Sequence, residues 1–208
     1  MNLGLLCVVS GPTSAGKTTV CRKVSEQTGR YYSVSCTTRP PRPGEVHGKD
    51  YFFLSPDEFT TRLAAREFLE HAQVHGRFYG TLKSTVFDQL KIGVDVLMDL
   101  DVQGAAKLRA NDDPLIQASL VDVFMVPKSL AEIRHRLSAR GTEAKDGPEF
   151  QLRLSNALKE ISRWREYRYL LLSRTREEDV ARLKQILDCE ALRTSLHPPG
   201  EWPDLPGS

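Results

Sequence analysis

The run Gly11-Pro12-Thr13-Ser14-Ala15-Gly16-Lys17-Thr18 fits the pattern G-x-x-x-x-G-K-[ST], whose chemistry is the cradling of a polyphosphate. Its glycines let backbone N–H groups turn inward around the anion, and the start of the following helix adds partial positive charge. In such a loop Lys17 reaches the outer phosphates and the Thr18 hydroxyl ligates Mg²⁺. These residues predict a nucleoside triphosphate site. They identify a superfamily and leave the acceptor open.

A second group of residues bears on the acceptor. The stretch from Ser35 to Tyr51 carries Arg39 and Arg42, with Pro40 and Pro41 between them, then Glu45 and Tyr51. The prolines hold the backbone extended. Two guanidinium groups and a phenol converging on one point suit a doubly charged phosphate monoester. Away from a phosphate loop, the same stretch would read as a solvated basic segment.

These groups need a frame. Apolar runs at Leu5–Val9, Tyr31–Val34, Val94–Leu100, Leu120–Val126 and Tyr169–Leu172 are expected to be strands, with helical patterns between most of them. A helix from Lys17 to about Gln27, with Val20 and Val24 on one face, follows the loop. The alternation predicts an α/β fold with a largely parallel sheet flanked by helices. Ser55-Pro56-Asp57-Glu58 and Ser129-Leu130-Ala131-Glu132 have the form of capping boxes. Phe150, Leu154, Ala157, Leu158, Ile161 and Trp164 recur at helical spacing and predict one buried stripe.

Two regions break the alternation. Residues 36–81, rich in Thr, Arg, Pro, Gly and Tyr around a candidate strand at Tyr51–Leu54, predict an inserted lobe. A polar run from Gly141 to Gly147, flanked by arginines, predicts a small lid over about 134–153. The expected organisation is one domain over 1–192, followed by an unpacked proline-rich tail over 193–208.

Composition narrows the class of protein. A formal charge of +2 over 208 residues, without a long basic run, argues against a nucleic-acid partner. No stretch approaches the roughly 18 apolar residues of a membrane span, and with a first strand expected from Leu5 no signal peptide is expected. Cys7, Cys21, Cys36 and Cys189 are scattered as expected of reduced thiols, and the histidines lack metal-ligand spacing. The expectation is a cytoplasmic enzyme, monomeric or homodimeric, acting on small molecules.

Further motifs extend the pattern over nearly the whole chain, from about Leu5 to Leu187. They are Thr37-Thr38-Arg39-Pro40-Pro41-Arg42, Gly44-Glu45, Gly48-Lys49-Asp50-Tyr51, Phe68-Leu69-Glu70, Tyr79-Gly80-Thr81, Asp99-Leu100-Asp101-Val102-Gln103-Gly104 and Arg140-Gly141-Thr142. In this order and spacing the chain resembles the guanylate kinases, which transfer the γ-phosphate of ATP to GMP. The resemblance implies a P-loop NTPase-type fold with an inserted GMP-binding lobe and a small lid, ATP as donor, and Mg²⁺. It implies Ser35, Arg39, Arg42, Glu45, Tyr51 and Tyr79 in the GMP-binding site, most of them around the phosphate. Glu70, Thr81 and Asp101 would meet the guanine edge, and Asp99 would orient Mg²⁺ through water. Lid arginines would be Arg136, Arg140 and Arg153; together with Lys17 and Arg39 they would stabilise the charge of the transferring group. GMP, and dGMP with it, would be the acceptor.

Three positions depart from the family's pattern. Ser14 stands where a second glycine is common, which is tolerable unless the backbone needs positive φ. Cys36 stands where a small hydroxyl residue is usual. Ser173-Arg174 replaces the usual Asn-Asp at a strand end, leaving adenine recognition open. Against the enzyme stands a non-catalytic phosphopeptide-binding module of the same fold, but such modules lose the loop lysine, and Lys17 is present. A kinase of a related purine acceptor is the other alternative.

Overall fold

The computed structural model describes residues 2–74, 76–138 and 147–197. The chain opens with strand β1 (Leu6–Ser10), the phosphate loop and helix α1 (Lys17–Thr28). Strands β2 (Tyr31–Tyr32), β3 (Cys36–Thr37) and β4 (Phe52–Phe53) are short; α2 (Pro56–Ala64), β5 (Phe68–Val74), β6 (Arg77–Leu82) and α3 (Lys83–Lys91) follow. Next come β7 (Val96–Asp99), α4 (Val102–Arg109), α5 (Pro114–Ser119), β8 (Leu120–Pro127) and α6 (Leu130–Ser138). Helix α7 (Pro148–Ile161), β9 (Tyr169–Ser173) and α8 (Arg176–Glu190) complete the regular elements, with 3₁₀ turns at Trp164–Glu166 and Thr194–Leu196.

The main sheet has five parallel strands in the order β2-β7-β1-β8-β9. Its central strands are apolar on both faces because helices cover both. Alternate side chains separate into two cores: Leu6, Val8, Val96, Met98 and Phe124 on one side, Cys7, Val9, Leu97, Val123 and Met125 on the other. β1 thus ends at the phosphate loop and β7 ends at Asp99, so both strands deliver chemistry to the same edge. Parallel α/β sheets bind ligands there, beyond the carboxyl ends of their strands.

Residues 36–82 form a second sheet of four strands, β4-β3-β6-β5, in which β5 and β6 are an antiparallel hairpin. Its own small core holds Cys36, Phe59 and Phe68, with Phe59 stacked on Phe68 at 4.3 Å between centroids. The hairpin does not read as strands in the sequence, because Glu70, His71 and Thr81 interrupt its apolar pattern.

Local signals worked where the chemistry was local. Ser55 accepts from the Glu58 N–H and Glu58 accepts from the Ser55 N–H, a complete capping box with Pro56 in the first turn. At Ser129 the box is offset: Ser129 Oγ accepts from the Glu132 N–H, but Glu132 reaches the Lys128 N–H. The predicted stripe of α7 needs correction. Phe150, Leu154 and Ala157 are buried and Ile161 packs against them, whereas Leu158 is exposed at the rim of the stripe. Trp164 is also exposed, since the α-helix ends at Ile161 and the 3₁₀ turn that follows changes the period.

The expected tail boundary also moves. Leu196 is buried in the core, its carbonyl accepts from the Leu3 N–H, and Arg193 pairs with Glu190 at 2.8 Å. Residues 193–197 are therefore packed; residues 198–208 lie outside the described residues, as do 139–146 of the predicted lid.

Candidate active site

The phosphate loop is shaped by backbone constraints that few residues satisfy. Gly11 has φ 142°, and a Cβ there would stand 1.9 Å from the Met125 carbonyl oxygen on β8. Gly16, at φ 97°, leads directly into α1. Ser14 does sit at positive φ, 70°, the conformation a glycine would adopt without steric cost. Its hydroxyl is buried without a hydrogen-bond partner among the described residues.

Lys17 folds back over the loop, its Nζ donating to the carbonyls of Gly11 (2.6 Å) and Pro12 (3.0 Å). Burial pulls its pKa down, while the Asp99 and Glu160 carboxylates oppose that shift. Thr18 at the start of α1 donates to Asp99 Oδ2 at 2.6 Å, linking loop and β7. Asp99 Oδ1 accepts from the Tyr32 hydroxyl at 2.5 Å, and the Arg22 guanidinium lies over the Tyr32 ring at 5.3 Å. Arg22 is itself tied to Asp50 in the lobe at 2.8 Å. Sequence reasoning missed Tyr32 and Arg22: one sits in a strand read as core, the other on a helix face with no motif.

In the lobe, Arg39 Nη2 donates to both oxygens of Glu45, at 2.8 and 2.9 Å. It lies 5.4 Å from the Tyr51 ring centroid and 5.8 Å from that of Phe53, with the Tyr79 hydroxyl beside it. Glu45 also accepts from the Arg42 N–H at 2.7 Å, and the Arg39 guanidinium holds its carboxyl below the usual range. Glu45 thus orients one arginine and the backbone of the other, while the Arg42 side chain is exposed. Tyr51 and Tyr79 meet edge to face at 6.0 Å. These residues form one basic, aromatic-walled corner.

Glu70 is 5% exposed, and Thr81, fully buried, donates to its Oε1 at 2.9 Å. Ser35 Oγ stands 3.4 Å from Thr81 Oγ1. Burial pushes the Glu70 carboxyl up to about 7; the Thr81 hydroxyl works against that shift and the Asp101 charge adds to it. Asp101 caps α4, accepting from the Gly104 N–H at 2.7 Å. A Cβ on Gly104 would lie 3.0 Å from Glu70 Oε2 and 3.3 Å from Asp101 Oδ1, so both carboxylates converge on a gap that glycine leaves open. Here the Thr81 proton is directed at Glu70.

Two predicted lid arginines are described. Arg136 Nη1 donates to the Ala15 carbonyl of the phosphate loop at 2.9 Å, and its Nη2 reaches Ser173 Oγ at 3.3 Å. Arg153 pairs with Glu149 on its own helix. Arg140 lies outside the described residues. Ser173 and Arg174 serve the next helix: Ser173 Oγ and the Arg174 N–H donate to the buried carboxylate of Asp179, at 2.7 and 2.9 Å. Cys36 is buried in the lobe core, and burial pushes its thiol up to about 11, so it is chemically quiet. Glu160, half-buried, faces Lys17 with one carboxylate oxygen unpartnered among the described residues.

A glycine-shaped loop between β1 and α1, with an arginine-bearing lobe beside the same sheet edge, defines a phosphotransferase of the phosphate-loop class. A family model described as guanylate kinase matches residues 4–190. Guanylate kinase from Novosphingobium aromaticivorans is 44% identical over 191 residues, covering 91% of this chain and 84% of that protein. The one from Clostridium tetani is 37% identical over 193 residues, covering 93% and 89%. A crystal structure of guanylate kinase from Anaplasma phagocytophilum matches with a TM-score of 0.77 at 32% identity, over 94% of this chain and 90% of that one. The chain belongs to the guanylate kinase family, and it is an enzyme of the nucleoside monophosphate kinase type.

Proposed function

We propose that this kinase moves the γ-phosphate of ATP onto GMP, and onto dGMP, through the residues just described. Glu70 carries the reading: a buried carboxylate facing the gap beside Gly104 can accept from guanine N1–H and the 2-amino group. Adenine would set the N1 lone pair against that carboxylate. Sites built on buried polar groups reject such a misfit by about 10⁴ or more. Thr81 serves O6 by turning its hydroxyl from Glu70, and Asp101 supports the base edge while capping α4. Recognition then addresses base and phosphate, which is why dGMP is included.

Arg39, Arg42, Tyr51, Tyr79 and Ser35 hold the acceptor phosphate, with Glu45 steering Arg39. An oxygen of that phosphate, already anionic at neutral pH, attacks Pγ; the bond from Pγ to the β–γ bridging oxygen breaks and ADP leaves. No general base is needed. Residues 11–18 hold the donor phosphates, and Lys17 releases the Gly11 and Pro12 carbonyls to meet them. Arg136, Arg140 and Arg153 offset the charge that accumulates during transfer. Mg²⁺ suits this edge: Thr18 spends its one proton on Asp99, leaving oxygen lone pairs for a hard cation, with Asp99 acting through water. When bound, the ion would neutralise charge on the donor phosphates.

Among the described residues no helix is long and apolar enough to cross a membrane, and four cysteines are free. We read the enzyme as cytoplasmic, a monomer or homodimer, without a nucleic-acid partner. The test is ADP formation from ATP and Mg²⁺ with GMP, dGMP, AMP, UMP and CMP in turn. Turnover with the guanine nucleotides alone, lost in Lys17→Ala, is expected. Equal use of AMP would refute the role given to Glu70.

A further inference from the structure

Tyr32 belongs to none of the motifs that link this chain to its family, yet it makes the second of two hydrogen bonds that fix Asp99. Its hydroxyl donates to Oδ1 at 2.5 Å while Thr18 donates to Oδ2 at 2.6 Å. A carboxylate held by a donor on each oxygen cannot rotate about its terminal bond without breaking one of them. The orientation of the Thr18 hydroxyl follows. With its only proton committed to a fixed acceptor, its lone pairs face a fixed direction.

Tyr32 is itself held from both sides. Strand β2 pairs with β7 in the register Tyr32↔Leu97, two residues before Asp99. The exposed face of the ring is covered by the Arg22 guanidinium, which Asp50 and the Lys49 carbonyl anchor at 2.8 and 2.9 Å. The side chain also packs against the core that includes Val24 and Leu97. A ring so constrained keeps its hydroxyl oxygen beside Asp99, where the carboxylate accepts its proton.

We propose that Tyr32 is a positioning residue for the divalent-cation site, locking Asp99 so that Thr18 presents its oxygen to the ion. The inference rests on the Mg²⁺ assignment made above. Outer partners that orient the groups around an ion typically contribute 10–100-fold to its affinity. A purely structural Tyr32–Asp99 bond would instead contribute stability, read as a lowered unfolding midpoint in its absence, and nothing to the ion.

The test is Mn²⁺ binding to the enzyme–ADP complex, followed by electron paramagnetic resonance, in wild type and Tyr32→Phe. The variant loses one oxygen and keeps the ring. The expected result is Mn²⁺ bound about 10–100-fold more weakly, with metal-free ADP affinity within about twofold and the unfolding midpoint recorded alongside. Equal Mn²⁺ affinities would overturn the inference. Should Tyr32→Phe fold poorly, Arg22→Met frees the ring while keeping the hydroxyl; it should weaken Mn²⁺ in the same direction, and no change would count against the inference. A wild type whose ADP complex takes up Mn²⁺ no better than free ADP would refute the cation assignment and this inference together. Tight Mn²⁺ binding without phosphorylation of GMP would refute the acceptor assignment and leave Tyr32 in its role.

Discussion

Thr81 donates its hydroxyl proton to Glu70 Oε1 at 2.9 Å, across a strand pair whose register sets the two residues side by side. One hydroxyl does not offset the burial of a carboxylate, and the Glu70 pKa rises from 4.5 to about 7. The folded protein therefore binds more protons than the unfolded chain between those two values. Stability is fully present below the lower value, falls as pH rises through the window, and stays low above it. A shift of that size corresponds to about 3 kcal/mol. Glu70→Gln, which still accepts from Thr81, should stabilise the ligand-free protein by up to about that amount at pH 8, with the gain vanishing near pH 4. Urea unfolding across that range checks the sign.

Gly104 faces the same pair of groups. An added Cβ would press on Glu70 Oε2 at 3.0 Å and on Asp101 Oδ1 at 3.3 Å, moving the carboxylate by a few tenths of an ångström. Misplacement of about 1 Å can cost 10²-fold, so Gly104→Ala should raise the KM for GMP about tenfold. The KM for ATP should stay within about twofold. Because alanine favours a helix over glycine by about 1 kcal/mol, the variant should remain folded, and steady-state kinetics with each substrate varied separates the effects.

At Ser14 the loop carries a serine at φ 70°. The left-handed conformation costs an L-residue about 1–2 kcal/mol, and glycine returns part of the gain through the entropy of its unfolded chain. Ser14→Gly should leave a net stabilisation of at most about 1 kcal/mol, or about 2–4 °C in Tm, readable by calorimetry. A lowered Tm would mean that the strain at Ser14 is smaller than the unfolded-chain entropy that glycine adds.

The main sheet was legible because its strands are continuous apolar runs: Leu6–Ser10 and Leu120–Pro127 lie within a residue of where hydropathy put them. The hairpin Phe68–Leu82 was not, because Glu70, His71 and Thr81 place polar residues inside its strands. Tyr32 was hidden as well, because its hydroxyl matters only once β2 lies beside β7. Glu45 was placed near the acceptor by its motif, but its work on Arg39 is a tertiary contact no spacing encodes. The positive φ of Ser14 followed from loop shape rather than residue type, for nothing about serine announces it. At the tail, the proline-rich composition begins beyond Leu196, which is held by burial in the core and by the Leu3 N–H donating to its carbonyl.

Glu70 is the proposed reader of guanine, and the ratio of kcat/KM for GMP to that for AMP measures that role directly. In wild type at pH 8 the ratio should reach about 10⁴ or more, and Glu70→Gln should cut it at least about a hundredfold while the KM for ATP holds. Lowering the pH through about 7 should also erode the wild-type ratio, since a protonated Glu70 offers adenine N1 a donor. A ratio that Glu70→Gln leaves unchanged would place guanine recognition elsewhere in the cleft and contradict the account.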